Sequence, residues 1–128
     1  MRYTLLLTYP EMTADELGPE ALAEGMRAFD DYAKAVDAAG ILISAEVLMP
    51  SSASTTITLA SGGLVIQDGP FSDSKEQLGG TFVIDVPDLD AAIEWAQRAP
   101  AARYGHVEIR PGATRFVDGA WTGGPVLK

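Results

Sequence analysis

The chain has one histidine, His106, in the run His106-Val107-Glu108-Ile109-Arg110. Read as a strand, this run puts His106, Glu108 and Arg110 on one face and Val107 and Ile109 on the other. Histidine titrates unperturbed near neutral pH, so any general acid-base step falls to His106. An imidazole in that role needs a carboxylate to hold one tautomer, and Asp68, Asp85 and Glu108 are the candidates. The competing reading makes His106 a surface or interface residue. Asp68 is the strongest acidic candidate, because it stands in Asp68-Gly69-Pro70-Phe71 between two apolar runs. Its competing role is turn chemistry, since Asp before Gly caps its own turn. If the protein is an enzyme, His106 and Asp68 should lie within a hydrogen bond or one water of each other, within one subunit or across a dimer.

Lys75 and Glu76 follow in Lys75-Glu76-Gln77-Leu78-Gly79-Gly80. They can position a small polar or anionic ligand, or form a plain surface ion pair. Phe71 is expected to plug its loop into the core. With Asp85, Glu108 and Arg110, these residues complete the candidate ligand-binding set. Metal ligation is not indicated, because one histidine, no cysteine and scattered carboxylates lack ligand spacing. Gly62-Gly63 and Gly79-Gly80 read as turn glycines, because neither pair opens a helix after a strand. No serine sits in a nucleophile elbow, and no cofactor is called for.

These side chains need a scaffold, and 128 residues suffice for one domain with its own core. The formal charge is −9. Such a field repels polyanions, so nucleic acid is not an expected partner. No stretch approaches the ~18 apolar residues of a membrane span. Absence of cysteine fits a reducing compartment. A cytoplasmic protein is expected, with no membrane contact.

The elements follow from periodicity. Arg2 to Tyr9 alternates as a strand, with Tyr3, Leu5 and Leu7 on one face. Thr13-Ala14-Asp15-Glu16 has capping-box form. A longer helix starts at Pro19 and runs to about Ala39, with Leu22, Met26, Phe29, Ala33 and Val36 as its buried stripe. Gly40 closes it. Ile41 to Met49 is a second strand with Ile43 and Val47 facing inward and Leu42, Ser44 and Glu46 outward. Thr55 to Ala60 and Leu64 to Gln67 form a hairpin around Ser61-Gly62-Gly63. A strand from about Gly80 to Val86 leads to a helix capped by Asp88, with Leu89, Ala92, Ile93 and Ala96 inward. The last strand is His106 to Arg110, followed by a tail from about residue 112 to 128 containing Phe116, Trp121 and Gly123-Gly124.

Strand, helix, strand, inserted hairpin, strand, helix, strand is α+β. Without the hairpin it is the ferredoxin-like βαββαβ pattern. Helices cover one sheet face. The other carries Thr4, Leu6, Thr8, Leu42, Ser44, Glu46, Leu48, Thr81, Val83, Asp85, His106, Glu108 and Arg110. That mixture suits a dimer interface, a ligand cleft or both.

Four runs stand out: Asp68-Gly69-Pro70-Phe71, Lys75-Glu76-Gln77-Leu78-Gly79-Gly80, Ile84-Asp85-Val86-Pro87-Asp88-Leu89-Asp90 and Val107-Glu108-Ile109-Arg110-Pro111. Through them the sequence resembles the YCII-related family, in particular its DGPF-containing branch. The resemblance implies a homodimer of the dimeric α+β barrel type. Some relatives are proposed to act through a His-Asp dyad in the dimer cleft. The position matching that histidine, about three turns before the capping glycine, is Phe29 here, so the dyad is broken unless His106 substitutes. Others in the DGPF branch are often encoded beside extracytoplasmic-function sigma factors. Two classes of function therefore stay open: a small-molecule-binding protein using acid-base chemistry, or a non-catalytic regulatory module acting through protein contacts.

Overall fold

A computed structural model of the chain describes residues 1–122. Strand β1 (Arg2–Pro10) is followed by a one-turn helix α1 (Ala14–Leu17) and the long helix α2 (Pro19–Ala38). Next come β2 (Leu42–Val47), a 3₁₀ turn over Ser51–Ala53, and the hairpin β3 (Thr55–Ala60) and β4 (Gly63–Asp68). Strand β5 (Glu76–Asp85), helix α3 (Leu89–Gln97), the short helix α4 (Ala101–Tyr104) and β6 (His106–Pro111) complete the main layer. A last hairpin joins β7 (Arg115–Val117) to β8 (Ala120–Thr122). The main sheet is antiparallel throughout, in the order β2-β5-β1-β6. Among the described residues no helix is long and apolar enough to cross a membrane.

Local signals set the element ends as their chemistry requires. The Thr13 hydroxyl accepts from the Glu16 N–H at 3.1 Å while Glu16 accepts from the Thr13 N–H. Pro19 opens α2, where its missing N–H costs nothing. Gly40 follows α2 at φ +76°. The Asp88 carboxylate caps α3 through the Ala91 N–H.

The core lies between the helices and one sheet face. Tyr3, Leu5 and Leu7 of β1 and Phe82 and Ile84 of β5 point into it. Helix α2 contributes Tyr32 and Val36, and the α3–α4 segment Ala92, Ala96, Ala99 and Ala101. Tyr32 stacks edge-on against Phe82 at 5.1 Å between centroids. Its hydroxyl donates to the Trp95 carbonyl at 2.7 Å, joining the two long helices.

Several inward positions differ from the periodic expectation. Leu22 and Met26 are exposed, Met26 by 66%, so the first turns of α2 run beyond the core and Tyr32 takes the central place. Leu89 and Ile93 are also exposed, and α3 seats its small Ala92 and Ala96 instead. In β2 the register shifts between Leu42 and Ser44, leaving Ile43 without a partner on β5. This bulge puts Leu42 opposite Ile84, on the core side, and leaves Ile43 exposed. The tail, expected to be an arm or loosely ordered, folds over residues 115–122 into a hairpin. Asp118 and Gly119 take positive φ at its turn and Phe116 packs edge-on against Trp121. Gly123-Gly124 lie outside the described residues.

Burial pushes the Tyr32 phenol up to about 12, opposed by the nearby Arg98 guanidinium. A folded-state value above the unfolded one near 10 stabilises the fold below pH 10, and that contribution disappears as pH rises from 10 toward 12. Tyr32→Phe removes this dependence and one hydrogen bond worth about 1 kcal/mol. In urea unfolding at pH 8 the variant should be less stable than the parent by about that amount. At pH 11.5 the gap should close or invert.

Candidate functional site

The last residues of β1 sit between two glycines. Thr8 pairs with His106 of β6 on one side and Leu78 of β5 on the other. A Cβ on Gly105 would fall on the Thr8 carbonyl oxygen and against Tyr9. A Cβ on Gly79 would fall inside the Tyr9 ring. The register of β1 against β5 slips just here, between Leu7 and Thr8, and Gly79 is the extra residue. Gly80 is tight too, since its Cβ would lie 2.7 Å from the Glu46 carbonyl oxygen. Tyr9 then packs against Phe29 at 6.1 Å and Tyr104 at 5.7 Å. Burial, then the Glu11 carboxylate, raises the Tyr9 phenol above its ordinary value.

Glycine-admitted closeness brings the starts of β5 and β6 against the two sides of the end of β1, and across that strand the single imidazole meets a carboxylate. His106 Nδ1 lies 2.7 Å from Glu76 Oε1, with side-chain exposures of 76% and 35%. Glu76 is the first residue of β5, four places earlier than the strand was expected to begin. With Nδ1–H donating to the carboxylate, the neutral ring presents its Nε2 lone pair away from Glu76. That is the arrangement of a base positioned to take a proton.

The loop that leads into β5 is held by its own signature residues. Gly69 stands at φ +104°, a conformation that favours glycine. Its N–H donates to the Ser54 carbonyl at 2.7 Å and its carbonyl accepts from the Thr56 hydroxyl at 2.8 Å. The Gln77 amide donates to the Ser72 and Ser74 carbonyls at 2.7 and 3.0 Å. Gln77 thus clamps the loop one residue after the carboxylate that meets His106.

The other candidates have separate places. Asp68 ends β4, exposed, and among the described residues its carboxylate takes part in no hydrogen bond or ion pair. Phe71 does not plug the core: it is 86% exposed, because the loop is tied by polar bonds and its apolar ring is left outside. Lys75 is exposed beside Glu76 in the chain. Asp85 is at the far end of β5, where it meets the Met1 ammonium at 2.9 Å; that bond and charge hold its carboxyl below the ordinary value. Glu108 and Arg110 pair with each other, opposite Leu6 and Thr4. His106, Glu108 and Arg110 thus form one edge of the open sheet face, with Glu76 at its corner. Sequence reasoning placed Glu76 in a loop and paired His106 with other carboxylates. The available signal was the strand alternation, which extends back through Gln77 once the Gly79 bulge is allowed.

Gly105→Ala forces a methyl group onto backbone that cannot move aside, at a cost of about 1–3 kcal/mol. Gly79→Ala meets a side chain that can swing away, so it should cost less stability while displacing Tyr9 from Phe29 and Tyr104. Urea midpoints should rank parent, Gly79→Ala, Gly105→Ala in falling order. A Gly105→Ala midpoint equal to that of the parent contradicts the packing argument.

A family model described as the YCII-related domain matches residues 1–112, which contain every residue of the site. An uncharacterized protein of Rhizobium meliloti (strain 1021) is 31% identical over 113 residues, covering 87% of this chain and 91% of its own. The chain belongs to the YCII-related domain family.

Proposed function

We propose that this protein binds a small molecule on the open sheet face and acts on it by acid-base chemistry, with His106 as the proton-transferring group. The observation that carries the reading is the 2.7 Å contact between His106 Nδ1 and Glu76 Oε1. A carboxylate-oriented imidazole on a strand is a poor packing device: both groups are partly solvated, and such pairs contribute about 0–1 kcal/mol to stability. Its value lies in fixing the ring. Glu76 is a positioning residue that selects the tautomer, and His106 Nε2 faces the ligand. Arg110 and Glu108 supply a charged rim that orients a polar group of the ligand. Lys75, Phe71, Asp68 and Asp85 belong to this reading only as peripheral ligand contacts. The absence of a histidine at Phe29 supports a site moved from α2 to β6. Phe29 instead packs on Tyr9 behind the strand that carries Thr8.

The strand order β2-β5-β1-β6 supports a ferredoxin-like plan with the β3–β4 hairpin inserted. Membership of the DGPF branch rests on the Asp68–Phe71 loop. We also propose a cytoplasmic homodimer built through the open face, whose central Thr4, Leu6, Thr81 and Val83 are uncharged. A second reading, a regulatory module acting by protein contacts, is favoured by the bare Phe71 ring.

Nitrogen-detected spectra of the imidazole test the proposal. In the parent protein, neutral His106 should be the Nδ1–H tautomer. Glu76→Ala should return it to the Nε2–H tautomer usual for free histidine, without loss of folding. A parent His106 already in the Nε2–H form removes the basis of the proposal. A thermal-shift screen of metabolite pools should find a compound that raises the melting temperature of the parent and loses its effect in His106→Ala.

A further inference from the structure

On the helix side of the main sheet, away from the open face, α2 and the corner between α3 and α4 enclose a cleft of about 240 Å³. Helix α2 contributes Ala28, Asp31, Tyr32 and Ala35, whose helical spacing puts them on one face. The two alanines leave room that longer side chains would fill. The corner contributes Arg98, Pro100 and Arg103. Two positive charges thus meet in one small space, in a chain with 9 Lys and Arg against 18 Asp and Glu. Carboxylates are in excess, yet among the described residues neither arginine is in an ion pair. Like charges brought together repel, and an anion between them offsets that cost. The Arg98 guanidinium stacks 4.3 Å from the centre of the Trp95 ring. Stacking holds the guanidinium by its face and leaves its in-plane N–H donors for an anionic group. Asp31, exposed on α2 and also outside any ion pair, is the one carboxylate of the lining.

We propose that this cleft binds a small zwitterion of the amino-acid class, its carboxylate between Arg98 and Arg103 and its ammonium group against Asp31. Size selects a ligand of that kind. The cleft is below the ~300–1,000 Å³ that hold drug-sized molecules, so a nucleotide or a folded peptide segment is too large. Charge selects it as well. A bare anion meets Asp31 along with the arginines, and a bare cation meets both arginines, whereas a zwitterion satisfies all three side chains. Ala28, Ala35 and Pro100 give a short aliphatic side chain an apolar place to rest. The lining has no histidine, cysteine, serine, threonine or lysine, and the Tyr32 hydroxyl is engaged with the Trp95 carbonyl. The cleft therefore offers no free nucleophile or neutral-pH base, and its ligand is bound unchanged. Its place suits an effector: Arg103 lies in α4, and α4 leads through Gly105 directly into His106.

Amide spectra of the nitrogen-labelled protein, recorded with each of the common amino acids at millimolar concentration, test the proposal. At least one should shift the signals of Ala28 to Ala35 and Arg98 to Arg103 saturably. The same molecule without its amino group, and inorganic phosphate, should bind about fivefold more weakly. Arg98→Gln and Arg103→Gln should each weaken the amino acid by about the same factor, and the rest of the spectrum reports that the fold is intact. Asp31→Asn should weaken the amino acid and strengthen phosphate. If Asp31 only competes for the arginines, Asp31→Asn strengthens every ligand alike, and that result overturns the zwitterion. An absence of saturable shifts, or shifts confined to the open face, overturns the site. No variant here touches His106 or Glu76, so failure of this cleft and failure of the acid-base site give different results.

Discussion

The structure depends on how closely three strands approach at the end of β1. Thr8 and Tyr9 are enclosed by Gly105 on one side and Gly79 on the other, at separations no side chain would permit. That approach lets β6 begin at His106 directly opposite Thr8, and lets β5 absorb one extra residue so that Glu76 reaches across. The Tyr9 ring fills the space that the Gly79 hydrogen leaves. It ties the sheet to α2 through Phe29 and to α4 through Tyr104. The dyad is thus a product of backbone packing, and the two side chains that form it are the last step of the arrangement.

The residues from Asp68 to Gly80, the end of β4, the loop and the start of β5, have a division of labour in this light. Gly69 supplies the positive φ, Gln77 gathers two carbonyls, Gly79 admits the tyrosine, Gly80 admits the β2 backbone and Glu76 meets the imidazole. Phe71 is the most exposed of the bulky apolar members, at 86%.

Much of this was legible in the residues alone. Capping at Thr13, Pro19, Gly40 and Asp88 depends on local chemistry and held at each position. Alternation in β1 and β6 assigned both faces of those strands. The failures occurred where the period broke. Ile43 is an unpaired bulge residue, so a strict count of two misplaces Leu42 and Ile43, while Ser44, Ala45 and Glu46 beyond the bulge lie on the faces the count assigned. The Gly79 bulge hid the first residues of β5 and with them Glu76 as the partner of His106. In the helices, hydrophobic size misled in part: Leu22, Met26, Leu89 and Ile93 look like core and are exposed, while the expected Val36, Ala92 and Ala96 are buried together with Tyr32. The Asp118-Gly119 hairpin had an ordinary turn signal that the reading of the tail passed over.

The alanines along α3 and α4 set a different kind of limit. Ala92, Ala96, Ala99 and Ala101 are all nearly or fully buried, so methyl groups fix the distance between that helical layer and the sheet. Small contacts allow close packing but leave no room for growth, since added methylenes in a filled interior force neighbours off their rotamers. The wide contact of Tyr32 on Phe82 can exchange one ring for another. The evolutionary freedom of this domain is therefore lopsided: substitution can alter the chemistry of α2 and the open face, while the α3 side tolerates little change in volume.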